Sequence, residues 1–227
     1  ETFFNDYSFG NEGNPFSIAK NLCVNDEPIP DVLVVPNTVE KIPGGVFNGR
    51  GIISLTIPNS VKVIGEKAFE NCEKLTLVSF GNSVDSIGHR AFAKCNALES
   101  IELPNSLKTI SSEAFLDCRS VSSLTLGNSL ETIGERAFRD CRLLESISLP
   151  NTISRIGASA FENCILLSEI DFSAVAGTIT IGEYAFDGCT ALATVNFWTN
   201  EIGMPAKFVG ENLTLAKGAF TNTALTQ

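Results

Sequence analysis

The sequence predicts an α/β solenoid, a right-handed coil of short parallel strands whose chain returns through single helical or 3-10 turns. Three observations predict it. An Ala-Phe pair recurs at Ala68-Phe69, Ala91-Phe92, Ala114-Phe115, Ala137-Phe138 and Ala160-Phe161, each 23 residues after the last. A cysteine follows each of these phenylalanines by three residues, at Cys72, Cys95, Cys118, Cys141 and Cys164, and again at Cys189 after Phe186. An aliphatic residue precedes each by five, from Ile64 to Ile181. Self-similarity at a fixed period of a few tens of residues marks a stacked repeat, because one such unit cannot bury its apolar face alone.

The copy from Leu98 to Cys118 shows what each position does. Leu98, Ile101 and Leu103 have the spacing L-x-x-L-x-L of a leucine-rich repeat, in which a short strand points its apolar residues inward and the residue between them outward. Pro58, Gly81, Pro104, Gly127 and Pro150 close successive strands and turn the chain. The return half, Ile-x-x-x-Ala-Phe-x-x-Cys, is too short for a long helix, so one helical turn or a 3-10 segment is expected there. Ala fits a close backbone approach, and Phe fills the wide interior. Ser60, Ser83, Ser106, Ser129 and Thr152 each follow an Asn, and either the hydroxyls or the neighbouring amides are expected to satisfy turn backbone groups.

The organisation follows from where the period holds. Residues 33–194 carry the repeats, with Val46-Phe47 as a variant first copy. Residues 1–32 are expected to cap one end, and 195–227 to supply an insert, a degenerate last copy at Ala219-Phe220 and a second cap. A formal net charge of −10 disfavours nucleic acid and anionic lipid, both of which need clustered cations. No apolar run approaches the roughly 20 residues that span a bilayer, so membrane insertion is not expected.

The pattern resembles the BspA-like leucine-rich repeats of bacterial surface proteins, also abundant in some parasitic protists. Leu55-Thr56-Ile57-Pro58-Asn59-Ser60-Val61, then Ile64-Gly65 and Ala68-Phe69-x-x-Cys72, follow that consensus nearly letter for letter. The resemblance implies secretion or cell-surface display, with adhesion or host extracellular-protein binding as the role. Arg50 and Thr223 depart from it by standing where Cys is expected in the first and last copies. No signal peptide, carbohydrate- or choline-binding module, wall anchor or lipid-bearing N-terminal cysteine is read within residues 1–227, so the mode of cell attachment is left open at this point.

Chemistry-bearing residues are read in the same frame. Six of the seven cysteines share one repeat position, so a buried column of inert thiols is expected. Zinc needs ligands converging on one point, which a column does not provide, and no metal or cofactor is expected. His89, the single histidine, occupies a turn position filled by Glu, Ser or Ala elsewhere and is expected to be solvated. No nucleophile–base motif accompanies it, and no catalytic residue is assigned. A hydrolase would have to draw on carboxylates of the strand face, which offers no evident pocket.

The expected binding surface is the outward side of the strands, a concave plate in most solenoids. Its central row reads Thr56, Ser79, Glu102, Thr125, Ser148, Asp171 and Asn196, flanked by Glu99, Glu145 and Glu169. No Lys or Arg falls in the strand windows from Leu75 to Phe197, whereas Lys67, Arg90, Arg136, Arg139 and Arg142 belong to the return half. The plate is therefore polar and mildly acidic, suited to a protein partner. A self-associating module without a specific ligand is the alternative. Aromatic anchors gather instead in the C-terminal insert, where Trp198 and Phe208 are a possible loop contact.

Overall fold

The computed structural model describes residues 31–196 and 213–225, with the backbone of two short strands before them. Those strands, β1 (Cys23–Val24) and β2 (Glu27–Pro28), pair antiparallel. Every other pairing is parallel and joins one copy of the repeat to the next. One face carries three-residue strands: β3 (Val32–Val34), β5 (Ser54–Thr56), β7 (Leu77–Ser79), β9 (Ser100–Glu102), β11 (Ser123–Thr125), β13 (Ser146–Ser148), β15 (Glu169–Asp171) and β17 (Thr194–Asn196). The return side carries β4 (Lys41–Ile42), β6 (Val63–Ile64), β8 (Ser86–Ile87), β10 (Thr109–Ile110), β12 (Thr132–Ile133), β14 (Arg155–Ile156), β16 (Ile179–Ile181) and β18 (Leu213–Leu215). These eight form one continuous sheet in chain order. The fold is a parallel-strand β-solenoid.

The expected helical or 3-10 return is therefore corrected: no described residue is helical, and the α/β class gives way to all-β. The reason lies in where the amides of the Ala-Phe segment go. Ala91, Ala93 and Cys95 donate three residues back, to Gly88, Arg90 and Phe92. The amides between them point out of the copy: Arg90 donates to Ser112, Phe92 to Ala114 and Lys94 to Leu116. A 3-10 helix would need every amide to bond within the segment. Alternation instead requires two left-handed residues per copy. Lys67 and Asn71, Arg90 and Lys94, Glu113 and Asp117, Arg136 and Asp140, and Ser159 and Asn163 all have φ between 53° and 62°.

The core is the stack itself. Leu98, Ile101 and Leu103 are buried as their spacing requires, and so are their counterparts in neighbouring copies, save the half-buried Phe80. Phe47, Phe69, Phe92, Phe115, Phe138, Phe161, Phe186 and Phe220 form one column, with ring centroids 5.1–5.3 Å apart and planes within 12°. Each such pair adds about 0.5–1.5 kcal/mol beyond the area it buries. The glycine that follows five of the return-strand isoleucines (Gly65, Gly88, Gly134, Gly157 and Gly182) allows the copies to touch: a Cβ on Gly157 would lie 2.6 Å from the Glu135 amide nitrogen.

The six repeat cysteines are free thiols and fully buried, as the periodicity predicts. Their role is more specific than filling space. Each Sγ–H donates to the phenylalanine carbonyl of the preceding copy: Cys95 to Phe69 at 3.3 Å and Cys118 to Phe92 at 3.2 Å. The same carbonyl accepts the cysteine amide of its own copy, as from Cys95 to Phe92. Thr223, at the cysteine position of the last copy, instead turns its hydroxyl to Phe220 O. Burial pushes the thiols of Cys72 and Cys118 up to about 12, and those of Cys95, Cys141 and Cys164 well above their ordinary range. The side chain of Cys23 lies outside the described residues.

The turn after each strand uses both candidate groups. The Asn59 and Asn105 side chains accept the amides of Asn82 and Asn128 in the following copy. The hydroxyls of Ser106 and Thr152 donate to Val84 O and Leu130 O.

Two outcomes follow. Lys94→Val, placing a β-branched side chain at φ 61°, should lower stability by about 1–2 kcal/mol relative to Lys94→Gly in chemical denaturation. The raised thiols hold their protons in the folded chain but release them on unfolding above the ordinary value of 9.0. Stability from this source is thus complete below about pH 9 and falls as pH climbs towards 12. Replacing Cys118 with Ala should shallow that alkaline decline, measured as the denaturation midpoint against pH.

Candidate functional site

The outward strand positions align as the register requires. Thr56 pairs with Ser79, Glu102 with Thr125, Ser148 with Asp171, and Asp171 in turn with Asn196. Glu99 and Glu145 stand immediately before β9 and β13, and Glu169 opens β15. Ser79, Glu99, Glu102, Thr125, Glu145, Ser148, Glu169 and Asn196 are exposed, whereas Thr56 and Asp171 are half-buried. Trp198 and Phe208 lie outside the described residues.

The carboxylates of this face divide into two kinds. Asp171 accepts the Ser173 amide at 2.8 Å and so braces its own turn, and Glu169 accepts the Asn196 side-chain amide. Glu99, Glu102 and Glu145 make no hydrogen bond or ion pair through their side chains among the described residues. They are solvated charges on an open surface, not a converging acid–base pair.

The return side differs because cations are interleaved there and most, though not all, of its carboxylates are paired: among the described residues Asp85, Glu131 and Glu183 are exceptions. Glu70, the buried charged residue of the core, receives Arg90 Nη2 at 2.7 Å and the Asn48 side-chain amide at 3.3 Å. Arg90 continues to Glu113 at 3.7 Å, and Glu113 to Arg136 at 3.7 Å. Arg139 joins Glu162 at 3.0 Å, and Arg119 holds Asp117 at 2.6 Å. His89 is half-buried here and donates Nδ1–H to Ser112 O at 2.9 Å, which corrects its expected full solvation. Among the described residues no group of three or more His, Cys, Asp or Glu side chains converges as metal ligands.

The strand face is not the unbroken plate that the period predicts. Its strands form three hydrogen-bonded blocks: β3-β5-β7, β9-β11 and β13-β15-β17. The amides of Ile57, Leu103 and Leu149 each donate to the next copy, at Ser79, Thr125 and Asp171. The amides of Val35 and Phe172 do the same, to Thr56 and Asn196, whereas those of Phe80 and Leu126 make no such bond. Both unbonded residues precede a glycine, whereas four of the five that bond precede a proline and Phe172 precedes Ser173. At the seam between β11 and β13 the surface sinks into a groove of about 750 Å³, lined by Leu124, Thr125, Leu126, Asn128, Ser146, Ser148, Leu149, Pro150, Asn151 and Ala174. Thr125 and Ser148 are thus groove residues. Sequence reasoning treated Pro and Gly as equivalent strand terminators and missed the seam that their alternation signals.

With the geometry in place, the comparisons are decisive for family. The BspA-type leucine-rich repeat region matches residues 17–141 and 108–227, in six copies. The chain belongs to the BspA-type leucine-rich-repeat family. A leucine-rich repeat protein of T. pallidum has a similar crystal structure, with a TM-score of 0.67 and 31% identity, covering 73% of this chain and 80% of that one. A leucine-rich cell surface protein of Faecalibacterium prausnitzii is 21% identical, with a TM-score of 0.42, covering 79% and 62%. The pneumococcal vaccine antigen PcpA is 19% identical, with a TM-score of 0.43, covering 88% and 70%. No curated protein sequence matches. The chain is a repeat scaffold of the leucine-rich class, whose members are typically protein-interaction modules. Among the described residues no helix is long and apolar enough to cross a membrane.

The return-side network predicts that Arg90→Ala destabilises more than an exposed charge removal. It strips the cation from a carboxylate that is 7% exposed, at a cost of about 1–3 kcal/mol. Denaturation of Arg90→Ala beside Arg142→Ala would measure the contrast, and the pair Glu70→Gln with Arg90→Ala should recover part of the loss.

Proposed function

We propose that this BspA-type scaffold is a non-catalytic, secreted or cell-surface binding protein whose strand face docks a protein partner bearing cationic groups. One observation carries the reading. Glu99, Glu102 and Glu145 are exposed and unpaired on a face without cations, while on the return side arginines pair with the neighbouring carboxylates. A carboxylate row left without intramolecular partners presents its field to an approaching molecule, which raises association rate and sets orientation. The hydroxyls of Ser79, Thr125 and Ser148 beside it are short, exposed groups able to donate or accept at a contact. Adhesion to host extracellular protein is the role that the family resemblance brings to the same face.

Self-association has one observation in its favour: Val32, Val34 and Leu77 expose 59%, 61% and 52% of their surface on β3 and β7. Sedimentation across a hundredfold concentration range separates the two readings, since a partner-binding monomer keeps its size.

Purified extracellular matrix proteins, immobilised and probed with the chain, test the main reading. Binding should weaken about tenfold on raising salt from about 50 to 300 mM, and again on combining Glu102→Lys with Glu145→Lys. Binding indifferent to both changes would move the contact away from this face.

A further inference from the structure

We infer that the groove between β11 and β13 is a binding site for an uncharged oligosaccharide. This goes beyond the protein-docking reading, since it concerns another ligand class and adds unpaired main-chain groups to the Thr125 and Ser148 hydroxyls that the two readings share.

The site begins with the backbone. Where copies are bonded, Leu103 N–H donates to Thr125 O and Ser168 N–H donates to Glu145 O, at 2.9 Å each. The corresponding partners across the seam are Leu126 N–H with Ser148 O, and Glu145 N–H with Ser122 O. Neither bond is made, and β11 and β13 share no ladder. The other seam, between β7 and β9, keeps a 3.4 Å bond from Glu99 N–H to Thr76 O and is backed by Phe80, edge-on to Phe92. The β11–β13 seam has only Leu126 at that position. Leu124 and Leu126 are 8% and 9% exposed, more than Leu55, Ile147 or Ile170. Leu126 N–H and Ser148 O, both in the groove's lining, therefore lie unpaired, and Glu145 N–H and Ser122 O do so just beyond it along the seam.

The break has a local correlate. A Cβ on Gly127 would overlap the Pro104 carbonyl, so this copy sits tightly on the one before it. Gly81 makes the same close approach to Pro58, and the amide of Phe80 before it is likewise unbonded to the next copy.

The lining selects the ligand. It contains no charged side chain: two serines, a threonine and two asparagines supply both donors and acceptors, over apolar Leu124, Leu126, Leu149 and Pro150. An anionic ligand would find no counter-charge in this lining and would meet the carboxylates of Glu102, Glu145 and Asp171 at its edges. A sugar hydroxyl both donates and accepts, so it can meet unpaired N–H and C=O groups alike. Its C–H face suits the apolar floor. A volume near 750 Å³ falls within the roughly 300–1,000 Å³ of small-molecule clefts. An extended peptide cannot enter as an added strand. Insertion needs β11 and β13 about 9.6 Å apart, two strand spacings, yet their Cα atoms still approach within 8 Å.

The test is an NMR titration of the ¹⁵N-labelled full chain with maltotriose, cellotriose and triacetylchitotriose, each to about 20 mM, since single-site sugar binding of this kind is expected in the millimolar range. At least one should shift the Leu126 and Glu145 amides and the Asn128 and Asn151 side-chain amides saturably. Ser146→Trp, at an exposed position on the rim, should weaken that binding about tenfold or more by filling the groove. Glu99→Lys combined with Glu102→Lys should leave it within about twofold, which separates this site from the protein-docking row. Three silent titrations would overturn the inference, as would seam shifts produced by trilysine but by no sugar. Amide exchange supplies an independent check: Leu126 should exchange much faster than Leu103, and equal protection would mean that the seam is closed.

Discussion

Everything in this fold depends on one constraint: each copy must hand its backbone hydrogen bonds to the next at a fixed spacing. A 23-residue coil is too short to satisfy its own amides and carbonyls while wrapping a core, so the bonds run between copies. The phenylalanine carbonyl shows how tightly that is arranged. Phe92 O accepts the Cys95 amide from its own copy and the Cys118 thiol from the next. The buried cysteine is thus the donor that completes a double acceptor. A serine there would bring a better donor but a shorter reach, and an alanine would leave the second lone pair unused.

The same constraint explains the left-handed residues. Sending alternate amides out of the Ala-Phe segment forces positive φ at two positions in each copy, which costs an ordinary residue about 1–2 kcal/mol. The bonds gained with the neighbour, Arg90 N–H to Ser112 O and Lys94 N–H to Leu116 O, offset it. The first and last described copies use residue types that bear positive φ more easily: Gly45 and Gly49 in the first, Gly218 and Asn222 in the last.

The core was legible in the sequence because burial recurs with the period: Phe69 through Phe186, the cysteine column and the L-x-x-I-x-L strands are all where spacing places them. The return conformation was not, because Lys67, Arg90, Glu113 and Arg136 carry no mark of a left-handed residue. The second position does carry one. Asn71, Asp117, Asp140, Asn163, Gly188 and Asn222 are residue types that tolerate that region, Lys94 being the exception. Read as a column, they signal a turn stack instead of a helix. The candidate surface was legible as a list of outward residues, since alternation fixes direction. Which carboxylates are free was not, because Asp171 and Glu169 are engaged by Ser173 and Asn196, partners that no periodicity specifies.

Regularity and function pull in opposite directions along such a stack. Where every copy matches its neighbours, the backbone is saturated and only side chains can recognise anything. Chemistry beyond that requires a break in the ladder, and the break must not spread. Here the continuous return-side sheet and the phenylalanine column run unbroken past the β11–β13 seam. They hold the copies in register while the strand face opens. Because each copy contacts only its neighbours, the disturbance stays within two of them. A Pro-to-Gly exchange at the strand end is a small enough change to create such an opening without disturbing the core beneath it. Leu124, Leu126 and Leu149 stay buried at the seam while the backbone above them is free.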